Sequence, residues 1–240
     1  MKYHIEKNSE QETLIIPLYA RKMCSELYPN LYRDETAIRL LDAIDYDFSA
    51  LAKKSGSSMQ RFGFLEVAMR QNDLACEVRD YLKTHPNAAV VNLGCDLNDT
   101  AWFREIDASG GAVFFAAGVF YYFLTPQVRA LVCAMAEAFP GGKLVFDAAN
   151  RKAVKLMLKT WIKDAEIKDV GAYFAVSDAQ RELAPWSPKL RVSSRGYMLG
   201  YHDLNDPSVS GFFRFLAQVG DGMMNMQIVR IDFAGEKSGT

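Results

Sequence analysis

Three short apolar runs, bounded by turn residues and separated by helical stretches, constrain this chain more than any other feature. Ala88-Ala89-Val90-Val91-Asn92-Leu93 leads straight into Gly94-Cys95-Asp96-Leu97. Ala112 to Ala116 leads into Ala117-Gly118, and Lys143-Leu144-Val145-Phe146-Asp147 follows the turn Pro140-Gly141-Gly142. Runs of this kind suit strands buried on both faces, and their alternation with helices predicts a parallel sheet. Ligands of open α/β sheets bind outside the carboxyl ends of the strands. A glycine at such an end, as at Gly94, lets backbone approach a ligand closely.

Helical periodicity fills the rest. Residues 9–28 carry an apolar face (Leu14, Ile15, Leu18, Met23, Leu27), with Pro17 marking a kink or a first turn. Asp34 caps a second helix running to Asp42, and Phe62 to Lys83 forms a long amphipathic one ended by His85-Pro86-Asn87. Thr125 is the expected cap of a helix from Pro126 to Phe139. Beyond Asn150 the expectations are a helix over Ala153–Lys163, a strand or loop over Gly171–Val176, a helix over Val209–Val219 and a strand over Met226–Phe233. The basic run Ser187–Arg195 reads as a solvated loop.

Bulk properties exclude several classes. The 240 residues carry a formal net charge of -1, which removes the usual electrostatic argument for nucleic-acid binding. No apolar run approaches the roughly 20 residues of a membrane span. Four widely spaced cysteines and a polar start predict reduced thiols in the cytoplasm. The spacing of His4, His85 and His202 does not suggest a metal site. There is no G-x-G-x-x-G loop for a nicotinamide dinucleotide and no G-x-S-x-G hydrolase turn.

Several short words occur together in order. Thr13-Leu14-Ile15-Ile16-Pro17-Leu18-Tyr19-Ala20-Arg21, Asp45-Tyr46-Asp47-Phe48, the run from His85 to Cys95, Asp99-Thr100 with Phe103-Arg104, Phe114 to Phe123 and Pro140 to Asp147 cover about residues 10–150. Together they resemble the leucine carboxyl methyltransferase-like family of class I S-adenosylmethionine-dependent methyltransferases, which includes polyketide O-methyltransferases of tetracenomycin type. The resemblance implies a Rossmann-like α/β methyltransferase fold with an N-terminal helical extension. It implies one methyltransferase domain over 1–240, with a helical cap over 1–84 and an α/β core with substrate-side elements over 85–240.

The resemblance also implies a cofactor site. Gly94, Cys95 and Asp96 would lie against the methionine part of S-adenosylmethionine, and Arg70 would pair with its carboxylate through the guanidinium fork. Ala117, Gly118 and Tyr122 would line the same pocket. Tyr19, Arg21, Tyr201 and His202 are acceptor-side candidates, and Met198, Tyr201, Phe212, Phe213, Met223 and Met224 suggest an apolar lining. The sequence singles out no catalytic residue, and oligomeric state stays open.

The match also breaks. Asp96 replaces a second glycine, Asn98 reads as an insertion, Ala101 replaces an arginine and Ala117 a glutamate. Only 18 residues (94 to 111) separate Leu93 from Ala112. A βαβ unit takes roughly 30, so the family's second and third strands are absent here, together with the acid that holds the cofactor ribose. Either the chain truly lacks this segment, or a segment around the cofactor is missing from the sequence. The second explanation is preferred, because deleting half a pocket should damage stability. A Cα step well beyond about 3.8 Å between Arg104 and Gly111 would mark the gap.

These features predict an O-methyltransferase acting on a carboxylate or hydroxyl of a small molecule, or else a non-catalytic methyltransferase-like binding module. A carboxylate acceptor is already ionised and needs no strong base.

Overall fold

The computed structural model describes residues 2–5, 10–54, 56–94, 97, 99–157 and 173–235. Strand β1 (Tyr3–His4) precedes α1 (Glu10–Leu27), α2 (Glu35–Ala43), β2 (Ile44–Asp45) and α3 (Ser49–Lys54). β1 and β2 pair as a small parallel ribbon apart from the main sheet. Pro17 sits inside α1 rather than in its first turn. Asp34 caps α2 as expected, accepting from the Ala37 N–H. Its other oxygen accepts from Arg21 Nε at 2.8 Å, so one carboxylate joins the two helices.

The long helix α4 (Ser58–Thr84) starts earlier than its apolar face predicts, because Ser57 caps it and accepts from the Gln60 N–H. The main sheet then assembles from β3 (Ala89–Asn92), β4 (Ala112–Ala116), β5 (Lys143–Ala148), β6 (Leu190–Gly196) and β7 (Gln227–Phe233). Its order is β3-β4-β5-β7-β6. β3, β4 and β5 run parallel, and β7 inserts antiparallel between β5 and β6. This is a mixed α/β, Rossmann-like arrangement, with the three apolar runs as its parallel strands.

Alternation along the strands divides two cores. Phe114, Leu144, Phe146, Val229 and Ile231 face α5 (Thr125–Ala138), through Val128, Leu131, Val132 and Met135. Val113, Val145 and Ile228 face the other way, onto Leu65, Ala68, Met69 and Leu74 of α4 and Phe213 and Ala217 of α8 (Gly211–Met223). Odd-numbered β5 residues therefore point toward α4, and Asp147 is one of them. Short helices α6 (Arg151–Met157) and α7 (Ala179–Leu183) complete the described elements. Among the described residues no helix is long and apolar enough to cross a membrane.

Several expectations need correction. The short connection between β3 and β4 is itself folded. Residues 101–105 form a 3-10 helix, the Ile106 N–H donates to Phe103 O, and the Gly111 N–H donates to Ala108 O. β3 pairs directly with β4. Trp102, Phe103 and Ile106 pack against the α5-side core, which lets so short a connection close. β3 thus becomes an edge strand, with Val90 48% exposed.

Thr125 is the first helical residue of α5 rather than its cap. Leu124 takes the cap position, and Gln127 Oε1 accepts from its backbone N–H. Of the run Ser187–Arg195 only residues 187–189 are a turn, because Leu190 and Val192 are buried and draw the rest into β6. Residues 173–176 are irregular, and the remainder of the Gly171–Val176 expectation lies outside the described residues, as does the part of the expected Ala153–Lys163 helix beyond Met157. The proposed apolar lining is not a single surface. Met198 and Phe213 are core residues, whereas Phe212 and Met223 are exposed.

Candidate functional site

The carboxyl ends of β4 and β5 meet α4 at a polar junction. Asp147, 2% exposed, accepts from the Gly118 backbone N–H at 2.6 Å through one oxygen. Its other oxygen accepts from Arg70 Nη1 at 3.2 Å. Gly118 has φ +70, a conformation that suits glycine. A Cβ added there would meet both Arg70 terminal nitrogens at 3.3 Å, so the guanidinium lies flat against the turn. Burial opposes the Arg70 charge, but Asp147, Tyr197, Tyr121 and Glu66 together outweigh it and hold the guanidinium above its ordinary pKa. Arg70 Nε is buried and has no hydrogen-bond partner among the described residues.

Two tyrosines extend the junction. The Tyr197 hydroxyl donates to Glu66 Oε1 at 2.9 Å, and Tyr121 is hydrogen-bonded to Asp147. Burial raises both phenols well above their usual range, and burial raises the Glu66 carboxyl as well. Tyr122, by contrast, is 43% exposed at the rim. Ala117 packs against the α4-side core. Gly94 is exposed, and an added Cβ would meet nothing within 4 Å, so the backbone at the end of β3 lies open. Cys95 and Asp96 lie outside the described residues.

Of the acceptor-side candidates, the structure joins Tyr201 and His202 but engages Tyr19 and Arg21 elsewhere. Tyr19 is buried, stacked on Phe48 and edge-on to Phe64. Arg21 is taken up by Asp34. The Tyr201 hydroxyl donates to Glu77 Oε1 at 2.7 Å, with the Arg195 guanidinium 4.3 Å above its ring. His202 Nε2 lies 2.7 Å from Asp73 Oδ1, and Asp73 Oδ2 accepts from the Met198 N–H at 2.8 Å.

Sequence reasoning missed the acidic partners. Glu66, Asp73 and Glu77 share one stripe of α4 with Arg70, at the spacing that places residues on one helical face. That stripe fastens the turn after β6, with Glu66 holding Tyr197, Asp73 holding Met198 and His202, and Glu77 holding Tyr201. Charged residues recurring at 66, 70, 73 and 77 beside an apolar face were a readable signal. Asp147 was visible as a strand end, but its contact with Arg70 was not.

Comparisons with known proteins add little. No protein-family model matches the chain, and no curated protein matches it. Solved structures align faintly. An O-methyltransferase family protein from Burkholderia thailandensis aligns at 12% identity and TM-score 0.39, over 93% of this chain and 73% of that one. A geranyl diphosphate methyltransferase, solved in complex with GPP and sinefungin, aligns at 13% identity and TM-score 0.40, over 92% of this chain and 98% of its own. Likenesses this faint carry no argument about function.

Proposed function

We propose that this chain is an S-adenosylmethionine-dependent O-methyltransferase acting on a small molecule. The observation that carries the reading is the Arg70–Asp147–Gly118 junction at the carboxyl edge of the parallel strands, with open backbone at Gly94 beside it. Parallel α/β sheets bind ligands at that edge, and the words matching the family fall on the same strands.

The residues fit the methionine end of the cofactor. Arg70 presents a buried cation at the edge, with Nε lacking a partner among the described residues. Gly94 and Gly118 would carry backbone against the cofactor, and Tyr122 would close the rim. When bound, S-adenosylmethionine supplies an activated methyl group on a sulfonium. The chain's own work is to orient that group and its acceptor and to keep water away. Asp147 fixes the Arg70 fork, and the Glu66–Tyr197 pair braces the wall behind it.

Isothermal titration of the whole chain with S-adenosylmethionine and S-adenosylhomocysteine tests this reading. Micromolar binding that Arg70→Met abolishes supports it; no binding at millimolar cofactor sinks it.

A second reading, a methyltransferase-like binding module without turnover, draws on β3 being the sheet edge where the family has further strands. Cofactor binding without methyl transfer to any of a panel of hydroxyl and carboxyl acceptors would favour it.

A further inference from the structure

A cleft of about 400 Å³ opens at the same sheet edge, beyond the ends of β6 and β7. Ser177, Asp178, Ser194, Gly196, Asp221, Asn225, Met226 and Gln227 line it. Among the described residues the lining holds two carboxylates and two hydroxyls, and no lysine, arginine or histidine.

Both carboxylates are fixed in place. Asp221 accepts from the backbone N–H groups of Leu199 and Gly200, and Asp178 Oδ1 accepts from the Arg181 N–H. Gly196 makes room for Asp221, since a Cβ there would sit 2.7 Å from its Oδ2. The walls are tied together by Gln227, whose Nε2 donates to the carbonyls of Val176, Ser177 and Asn225. Fixed groups lose little freedom when a ligand arrives, which favours binding.

The charge pattern selects the occupant. A carboxylate or phosphate ligand would face two negative groups and no cation. Two carboxylates with no cation among the described lining residues favour a positively charged occupant. We propose that this cleft binds a small amine, its ammonium group against Asp221 and its hydroxyl or apolar remainder along Ser177, Ser194 and Met226. Burial, with Asp73 behind it, pushes the Asp221 carboxyl up to about 7. An ammonium beside it would favour the ionised form of this carboxyl.

Binding itself does not depend on the methyl-transfer reading. The cleft's role as the acceptor site does rest on it, and it moves the expected acceptor from carboxylates to amino alcohols.

The test uses three two-carbon probes, namely ethanolamine, ethylene glycol and glycolate, titrated into the isotopically labelled whole chain and read by amide NMR. Ethanolamine is expected to shift Gly196, Asn225 and Gln227 saturably at millimolar concentration, with little effect from the other two. Asp221→Asn should weaken it at least tenfold. Asp178→Asn, which keeps a helix-capping residue, should weaken it about threefold by removing the second charge. Equal shifts from all three probes, or unchanged ethanolamine binding in both variants, overturn the proposal. Ethanolamine binding in a chain that fails to bind S-adenosylmethionine keeps the cleft and removes its acceptor role. S-adenosylmethionine binding without ethanolamine binding overturns the cleft alone.

Discussion

Arg70, midway along α4, and Asp147, near the end of β5, stand 77 positions apart in sequence and meet at 3.2 Å. Their side chains are 18% and 1% exposed, so the pair is shielded from solvent. Removing one partner leaves the other charged and buried. Arg70→Met should cost about 3–5 kcal/mol of stability. Denaturant unfolding measures this directly. A double-mutant cycle with Asp147→Asn should return a coupling above about 0.5 kcal/mol, and additivity of the two substitutions would refute the pairing.

Gly118 takes a left-handed backbone conformation with its Cα facing the Arg70 guanidinium. Gly118→Ala adds a methyl group to a φ that L-residues avoid, at a cost of about 1–2 kcal/mol, and crowds Arg70. The expected readouts are a lower thermal midpoint and weaker S-adenosylmethionine binding. Unchanged affinity would separate this turn from the cofactor site.

Asp221 titrates near 7 in the folded chain, against about 3.9 when unfolded. Between these values the native state binds more protons, so the stability from this group is full at low pH and is lost as pH rises through 7. Asp221→Asn removes that dependence. Its thermal midpoint, relative to the unsubstituted chain, should improve between pH 5 and pH 8. A constant difference across that range would disprove the raised titration.

Cys24 lies fully buried between α1 and α4, and burial pushes its thiol up to about 12. Thiolate is the reactive form. Native-state alkylation followed by peptide mapping should leave Cys24 unlabelled until denaturant is added. Labelling at a rate matching the half-buried Cys76 would contradict its placement.

β4 and β5 were legible because a strand buried on both faces is largely apolar, and β4 occupies the whole of the run Ala112–Ala116. Asp34 was legible as a cap because capping is local chemistry. The ribbon β1–β2 and the five-residue helix α7 were not, because elements so short owe their form to neighbours distant in sequence. The same limit hid the site. Arg70 was readable as a helical cation and Asp147 as a strand end, but only the packing of α4 across β5 turns them into a pair. The acids of α4 were hidden for the opposite reason, since charged side chains on a long helix ordinarily face solvent and here four of them face the sheet and the turn after β6.

The sheet order has a consequence for how this chain folds. β7 is the last of the five strands in sequence, yet it lies between β5 and β6. Until residues 227–233 are available, β6 has no partner and β5 presents an unpaired edge. β3, β4 and β5 with their helices can collect as synthesis proceeds, whereas the pairing of β6 and the completed Asp221 cleft must wait. A nascent chain halted before β7 would thus carry two open strand edges, a hazard for aggregation that closes in one late step.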